Sequence, residues 1–263
     1  MSFDCDNPHF GILSALPEEQ YGLVSLLEFV EPPVSHAGRR FVRGTLNGIP
    51  VVLALCGIGK VAAATTATVL IERFEVRRLL FTGVAGGLAP GVEVGDVVVA
   101  DAFVQHDMNA SPLFPRHEVP LYGRARFDAD RSLSSRVSAA VLSVLSQLPN
   151  LCSAADQDLF KLHAARLHQG LLVSGDRFVS AIGEAADLRA ALPDALAVDM
   201  ESAAVAQVCH DFGIAFAAVR TVSDRADASA QVDFSAFVAA VASRYAQAIV
   251  MAMFAEPSLL AGS

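Results

Sequence analysis

Residues 194–227, reading DALAVDMESAAVAQVCHDFGIAFAAVRTVSDRAD, constrain this chain more than any other stretch. A short apolar strand, Leu196 to Val198, runs into Asp199-Met200-Glu201. A helix of small residues follows from Ser202 to His210, and Gly213 stops it as a C-terminal cap does. A second apolar strand, Ile214 to Val219, then delivers Arg220 and Asp224. The pattern is a β-α-β unit that sets two carboxylates, Glu201 and Asp224, just beyond two strand ends. Ligands of α/β sheets bind at the carboxyl ends of strands. Glu201 also opens a helix, whose dipole favours an ionised carboxylate. Taken singly, each acid reads equally as a helix N-terminal charge or a turn cap.

Composition removes several function classes. The chain has 263 residues, 53% of them hydrophobic and 18% charged, which suits one large α/β core. Its net charge of -9 comes with no basic run, which argues against a nucleic-acid partner. Cys5, Cys56, Cys152 and Cys209 are scattered without a C-x-x-C pair, as expected of a reduced cytosol rather than of a disulfide framework or zinc site. The start, MSFDCDNPHF, has neither the basic nor the apolar region of a signal peptide. Gly, Arg or Asp interrupts the apolar runs before a membrane-spanning length. A soluble, cytoplasmic protein without a membrane partner is the expectation.

Phe10 to Leu16 reads as a buried first strand, and Pro17 then suits a first helical position. Glu18 and Glu19 fall in that first turn, where they complement the helix dipole. Phe41 to Leu46 and Ile49 to Cys56 read as strands joined at Asn47-Gly48, a hairpin signal. Gly57-Ile58-Gly59-Lys60 opens an alanine- and threonine-rich helix to about Phe74. It is not a phosphate loop, because Val61 stands where Ser or Thr is needed and the spacer between glycines is missing. Arg78 to Thr82 is a strand, and Gly83-Val84-Ala85-Gly86-Gly87 is expected to turn at its end. Those glycines serve either a tight connection or the close approach of a ligand.

Gly91 to Val104 is strand-like, with a turn at Gly95-Asp96. His106-Asp107-Met108-Asn109 reads as a polar loop, since no second His sits at metal-ligand spacing. Pro112 to Gly123 is a semi-rigid surface segment with bulky apolar residues, of a type that contacts partners. Arg131 to Leu148 has helical periodicity, and Asn150 to Lys161 is a less regular connection. His168 to Val173 is a strand ending at Ser174-Gly175-Asp176-Arg177-Phe178-Val179. Phe178, one of 16 Phe, is a core residue or a stacking platform. Val232 to Phe254 is a long closing helix, and Glu256 to Ser263 a tail.

These motifs, in this order, resemble those of the nucleoside phosphorylase and nucleosidase superfamily, whose hydrolytic members cleave 5′-methylthioadenosine and S-adenosylhomocysteine. VDMES is similar to the family's VEMEx, RTVSDRAD to R-x-x-SD-x-AD, and GIGK to SGIGK. GVAGG is similar to GSAGG or GTAGG, and SGDRF to SGDxF. Leu16-Pro17-Glu18-Glu19 aligns with a Met-Glu-Glu-Glu stretch, and His106 to Asn109 with HDAD. The likeness runs from Phe10 to about Phe237. It implies an α/β fold, a single domain over 1–263 with an ordered core of about 8–254. The architecture is a three-layer α/β/α sandwich around a mixed, twisted sheet.

The resemblance also implies roles. Asp224 protonates the purine, Glu19 acts as base for a water and Arg220 places that water. Glu201 and Met200 hold the ribose, and Phe234 packs beside it. Val84, Ala85 and Gly86 touch base and sugar through their backbone, with Ser223 beside them. Phe178 stacks on adenine, and Phe178 and Val179 read its edge. Leu16, Ile58 and Ala110 form an apolar 5′ pocket. No cofactor and no metal is implied. The segment 106–123 is expected at a homodimer interface, where it closes the neighbour's site. Hydrolysis is favoured over phosphorolysis because Glu19 repels phosphate and Arg220 is the one cation given a role. Three positions depart from the family: Asp199 for Glu, Val84 for Ser or Thr, and Asn109 for Asp. The alternatives are another nucleosidase or a phosphorylase of the superfamily, with futalosine as one substrate, or a non-catalytic nucleoside-binding protein.

Overall fold

Apolar runs without alternation need cover on both faces, and the fold supplies it with helices on each side of one sheet. The computed structural model describes residues 10–20, 22–226 and 230–255, so Cys5, Asp227 and the tail from Glu256 lie outside the described residues. The strands are β1 (Phe10–Ser14), β2 (Val34–His36), β3 (Arg39–Leu46), β4 (Ile49–Leu55), β5 (Arg78–Gly87), β6 (Val97–Gln105), β7 (Arg126–Asp128), β8 (Leu167–Ser174), β9 (Ala195–Asp199) and β10 (Ala215–Asp224). The helices are α1 (Pro17–Gln20), α2 (Lys60–Phe74), α3 (Arg131–Leu145), α4 (Leu148–Leu151), α5 (Ala154–Leu159), α6 (Ile182–Ala191), α7 (Ser202–Phe212), α8 (Ala230–Phe237) and α9 (Ser243–Met253).

The sheet is mixed. The order β2-β3-β4-β1-β5 forms its open side, and β5 then pairs with both β9 and β10. Because β9 continues through β8 and β6 back to β10, these five strands close on themselves. Neighbouring residues along each strand go to opposite layers. Leu80, Val97, Val99, Ala217 and Val219 pack with Leu133 and Val137 of α3 and Ile249 and Val250 of α9. Leu79, Phe81, Val98 and Ala218 pack with Ala63, Ala67 and Leu70 of α2 and with Ala203 and Ala206 of α7. The expected three layers are present. At the β3–β4 hairpin, Asn47 (φ 47°) and Gly48 (φ 79°) take the two positive angles of a type I′ turn.

Four expectations need correcting. GVAGG does not turn: β5 runs straight through it to Gly87, and Gly83, Gly86 and Gly87 are not among the positive-φ glycines. The strand from Ala215 likewise extends to Asp224, so Arg220 and Asp224 lie within it rather than beyond its end. Pairing along the full length of β5 and β10 supplies the backbone partners that hold both extensions. The region 150–161 contains α5 rather than irregular chain, capped by Ser153 Oγ, which accepts from Asp156 N at 3.1 Å. The closing helix is long and apolar enough, over Phe234–Met253, to cross a membrane by length and composition. Half of that window is buried in the protein, and Arg244 within it reaches Asp156 at 3.7 Å. The five residues Val238–Ala242 of this helix form a π-helical segment.

Candidate active site

The carboxyl ends of β1, β5, β9 and β10 converge on a cavity of about 360 Å³. That volume lies within the usual range for small-molecule sites. Its walls include Leu16, Glu19, Ile58, Val84, Ala85, Gly86, Phe178, Val179, Met200, Glu201, Ser223, Asp224 and Phe234. Nearly every residue singled out from the sequence therefore meets at one place. Two do not line it. Arg220 lies beneath the floor, 1% exposed. Ala110 sits half-buried in the loop after β6, where its carbonyl accepts from Leu113 N and Phe114 N. The apolar wall expected from Ala110 is thus not formed within one chain.

Glu19 reaches its place because α1 is a single turn that folds the acid back over the end of β1. Its Oε2 accepts from Ala15 N at 2.8 Å and Leu16 N at 2.9 Å, while Oε1 accepts from Val84 N at 3.1 Å. Burial pushes its pKa up, against the lowering effect of Arg220 and these N–H groups. Arg220 stands opposite Gly83 in the β10–β5 register. A Cβ at Gly83 would lie 2.5 Å from Arg220 Nη1 and 2.7 Å from Glu19 Oε1. The glycine is there for the approach of two protein side chains. The same holds at Gly86, where a Cβ would meet Asp224 Oδ1 at 3.0 Å.

Asp224 is re-aimed by a β-bulge. Between Val222 and Asp224 the register against β5 shifts, so Ser223 is an extra residue opposite Ala85–Gly86. Asp224 is 2% exposed, with Oδ1 accepting from Ala226 N at 2.8 Å and Oδ2 from Ser223 Oγ at 2.9 Å. Opposite it, Phe178 meets Phe234 edge to face at 5.6 Å between ring centroids. Phe178 remains 43% exposed, which leaves a ring face open to the cavity mouth.

Glu201 departs from expectation. It is the N-cap residue of α7, yet its side chain caps nothing; Oε1 instead accepts from Gly59 N at 2.9 Å. Burial, and then the neighbouring Asp199, raise its pKa to about 8 despite Arg220. Desolvation outweighs the helix dipole that the sequence suggested would keep it ionised.

Asp199, read from the sequence only as a departure, is the most heavily bonded acid here. It accepts from Arg220 Nε at 2.8 Å, Ser174 Oγ at 2.5 Å, and the N–H groups of Glu201 and Ser202 at 3.2 Å each. Its place between an apolar strand and a helix start was the available signal. Arg177, to which the sequence motifs assign no role, lines the cavity and pairs with Glu184 at 3.2 Å. Lys60 Nζ, at the false phosphate-loop motif, donates to Asp107 Oδ1 at 2.6 Å and Gln105 Oε1 at 3.2 Å.

With this geometry in view, a family model described as the phosphorylase superfamily matches residues 9–255. The chain belongs to the phosphorylase superfamily. Among solved structures of this superfamily, it is similar to a 5′-methylthioadenosine/S-adenosylhomocysteine nucleosidase from Neisseria meningitidis in complex with methylthio-immucillin-A. The identity is 32% and the TM-score 0.83, covering 94% of this chain and 99% of that one. The Colwellia psychrerythraea enzyme of the same name, in complex with adenine, is 30% identical with a TM-score of 0.82 and 95% coverage of both chains. The futalosine hydrolase of Helicobacter pylori is 29% identical with a TM-score of 0.79, covering 94% and 97%. The fold is that of the superfamily's nucleosidases.

The raised pKa of Glu201 has a consequence for stability. Its protonated form is favoured by folding, so the contribution is fully present below about pH 4.5 and is lost as pH rises through about 8. Glu201→Gln stays neutral throughout. Thermal melts of wild type and variant should run close together near pH 5, with wild type falling progressively below the variant by about pH 9. A constant gap across that range would contradict the assignment.

Proposed function

We propose that this protein, a nucleosidase of the phosphorylase superfamily, hydrolyses the N-glycosidic bond of 5′-methylthioadenosine and S-adenosylhomocysteine, releasing adenine and the thioribose product. The observation that carries hydrolysis is the carboxylate of Glu19. The backbone N–H groups of Ala15 and Leu16, just past β1, and of Val84, within β5, all donate to it. Backbone donors of this kind would hold a phosphate in a phosphorylase, and here an acid already occupies them and repels an anion.

In this reading Asp224 gives a proton to N7 of adenine, and the C1′–N9 bond breaks with its electrons passing to the purine. The sugar develops oxocarbenium character, as in other glycoside hydrolyses. A water held between Glu19 and Nη1 of Arg220 attacks C1′, and Glu19 takes its proton. Burial raises the pKa of Glu19, which makes its carboxylate a stronger base for that proton. Glu201 and Met200 hold the ribose, Phe234 packs beside it, and Phe178 stacks on the purine, whose edge is read by the backbone at Phe178 and Val179. Leu16 and Ile58 face the 5′ group.

A second reading, a substrate with an acidic 5′ group such as futalosine, draws on Arg177, a cation lining the cavity and close to Glu184. Initial rates on the two nucleosides rank the readings. We further propose a homodimer through residues 106–123, in a cytoplasmic protein. Leu113 and Leu121 are 85% and 92% exposed there, and a partner copy would cover them and bring Ala110 to the neighbouring cavity.

Asp224→Asn keeps the shape of the side chain and removes its acid. Adenine release from 5′-methylthioadenosine should fall by roughly 10²–10⁴-fold, with adenine affinity by calorimetry changed only a few-fold. Retained turnover would remove Asp224 from the acid role, and a wild type that binds adenine without releasing it from any nucleoside would favour a binding protein. Gel filtration at micromolar concentration should give twice the chain mass, and Leu121→Asp should shift it to the monomer; a monomeric wild type would contradict the interface.

A further inference from the structure

We infer that Asp199 and Ser202 act together as one two-toothed ligand for Arg220 and so position the water-binding end of the site. This rests on the hydrolytic reading above. An arginine usually presents two parallel N–H groups to both oxygens of one carboxylate. Here the carboxylate supplies only one of them. Arg220 Nε donates to Asp199 Oδ2 at 2.8 Å, but Nη2 donates to Ser202 Oγ at 2.9 Å. The serine hydroxyl in turn donates to Asp199 Oδ2. Ser202 thus stands where the second oxygen of a longer acid would be.

The other carboxylate oxygen faces the opposite way. Asp199 Oδ1 accepts from Ser174 Oγ at 2.5 Å, and Ser174 Oγ accepts from Ala203 N at 2.8 Å. It also accepts from Glu201 N and Ser202 N at 3.2 Å, which fixes the head of α7. One acid therefore sets both the guanidinium and the helix start that carries Glu201. With Nε and Nη2 held, and the guanidinium lying 3.9 Å over the Phe81 ring, the direction of Nη1 is determined. That nitrogen is buried with no hydrogen-bond partner among the described residues, and it flanks Gly83 together with Glu19 Oε1. It is the donor left over for a water beside Glu19.

VDMES has the shorter acid where VEMEx has Glu, and the hydroxyl of Ser202 makes up the missing reach. The two positions are coupled, and a cycle of variants reads the coupling. Ser202→Ala removes one tooth, and Asp199→Glu pushes a longer acid into the space of the Ser202 hydroxyl. Each alone should lower kcat about tenfold or more with KM within about twofold, since misplaced groups act on the transition state. Asp199→Glu combined with Ser202→Ala gives a long acid with room to meet both Nε and Nη2, and should recover kcat to within about threefold of wild type. Losses that simply multiply in the double variant, or full kcat in Ser202→Ala, would overturn the pairing. A single variant that fails to fold while the double folds is the same rescue read in stability. Wild-type turnover is measured first: its absence contradicts the proposed reaction, whereas turnover with multiplying losses contradicts the pairing alone.

Discussion

The site is built around one buried charge, the guanidinium of Arg220. Asp199, Glu19 and Glu201 surround it, and the charge on Asp199, before the others, holds it protonated against the burial that would discharge it. The direct pair with Asp199 has 1% and 2% side-chain exposure. A pair so enclosed stabilises little relative to apolar packing, yet removing one partner costs about 3–5 kcal/mol because the other is left uncompensated. Its geometric effect is placement. It sets β10 against the head of α7 and directs the remaining nitrogen toward Glu19.

Crowding this much charge into an apolar fold requires backbone without side chains at the points of contact. Gly83 and Gly86 provide that, and β5 can therefore stay a strand through GVAGG while acids and a guanidinium from α1 and β10 pass close over it. The bulge at Ser223 then turns the last residue of β10 back toward the cavity. Fold and chemistry meet in the doubled pairing of β5, which touches both β9 and β10 and so brings Glu201 and Asp224 to one cavity.

Much of this was legible in the sequence. The helix from Lys60 to Phe74, the Asn47-Gly48 hairpin and the strand-helix-strand order of β9, α7 and β10 follow from local pattern, because capping, turn chemistry and periodicity are local properties. The extension of β5 through its glycines was not legible, since glycine reads as a turn until the neighbouring side chains are seen. The high pKa of Glu201 was hidden for the same reason: the helix dipole is visible locally, while burial and the charge on Asp199 arise only from assembly. Asp199 itself looked like a minor exchange in a motif, because its partners Ser174 and Arg220 lie 25 and 21 residues away. Helix α6 carries little local signal, having alanines and a glycine but a weak apolar stripe, with only Ala185 and Leu188 buried.

The most direct measurement of hydrolysis is adenine release from 5′-methylthioadenosine with and without added phosphate, identifying the sugar by mass. With Glu19 occupying the backbone donors of Ala15, Leu16 and Val84, the product should be free methylthioribose at a rate indifferent to phosphate. A sugar 1-phosphate, formed only when phosphate is present, would contradict it and remove Glu19 from its role toward water.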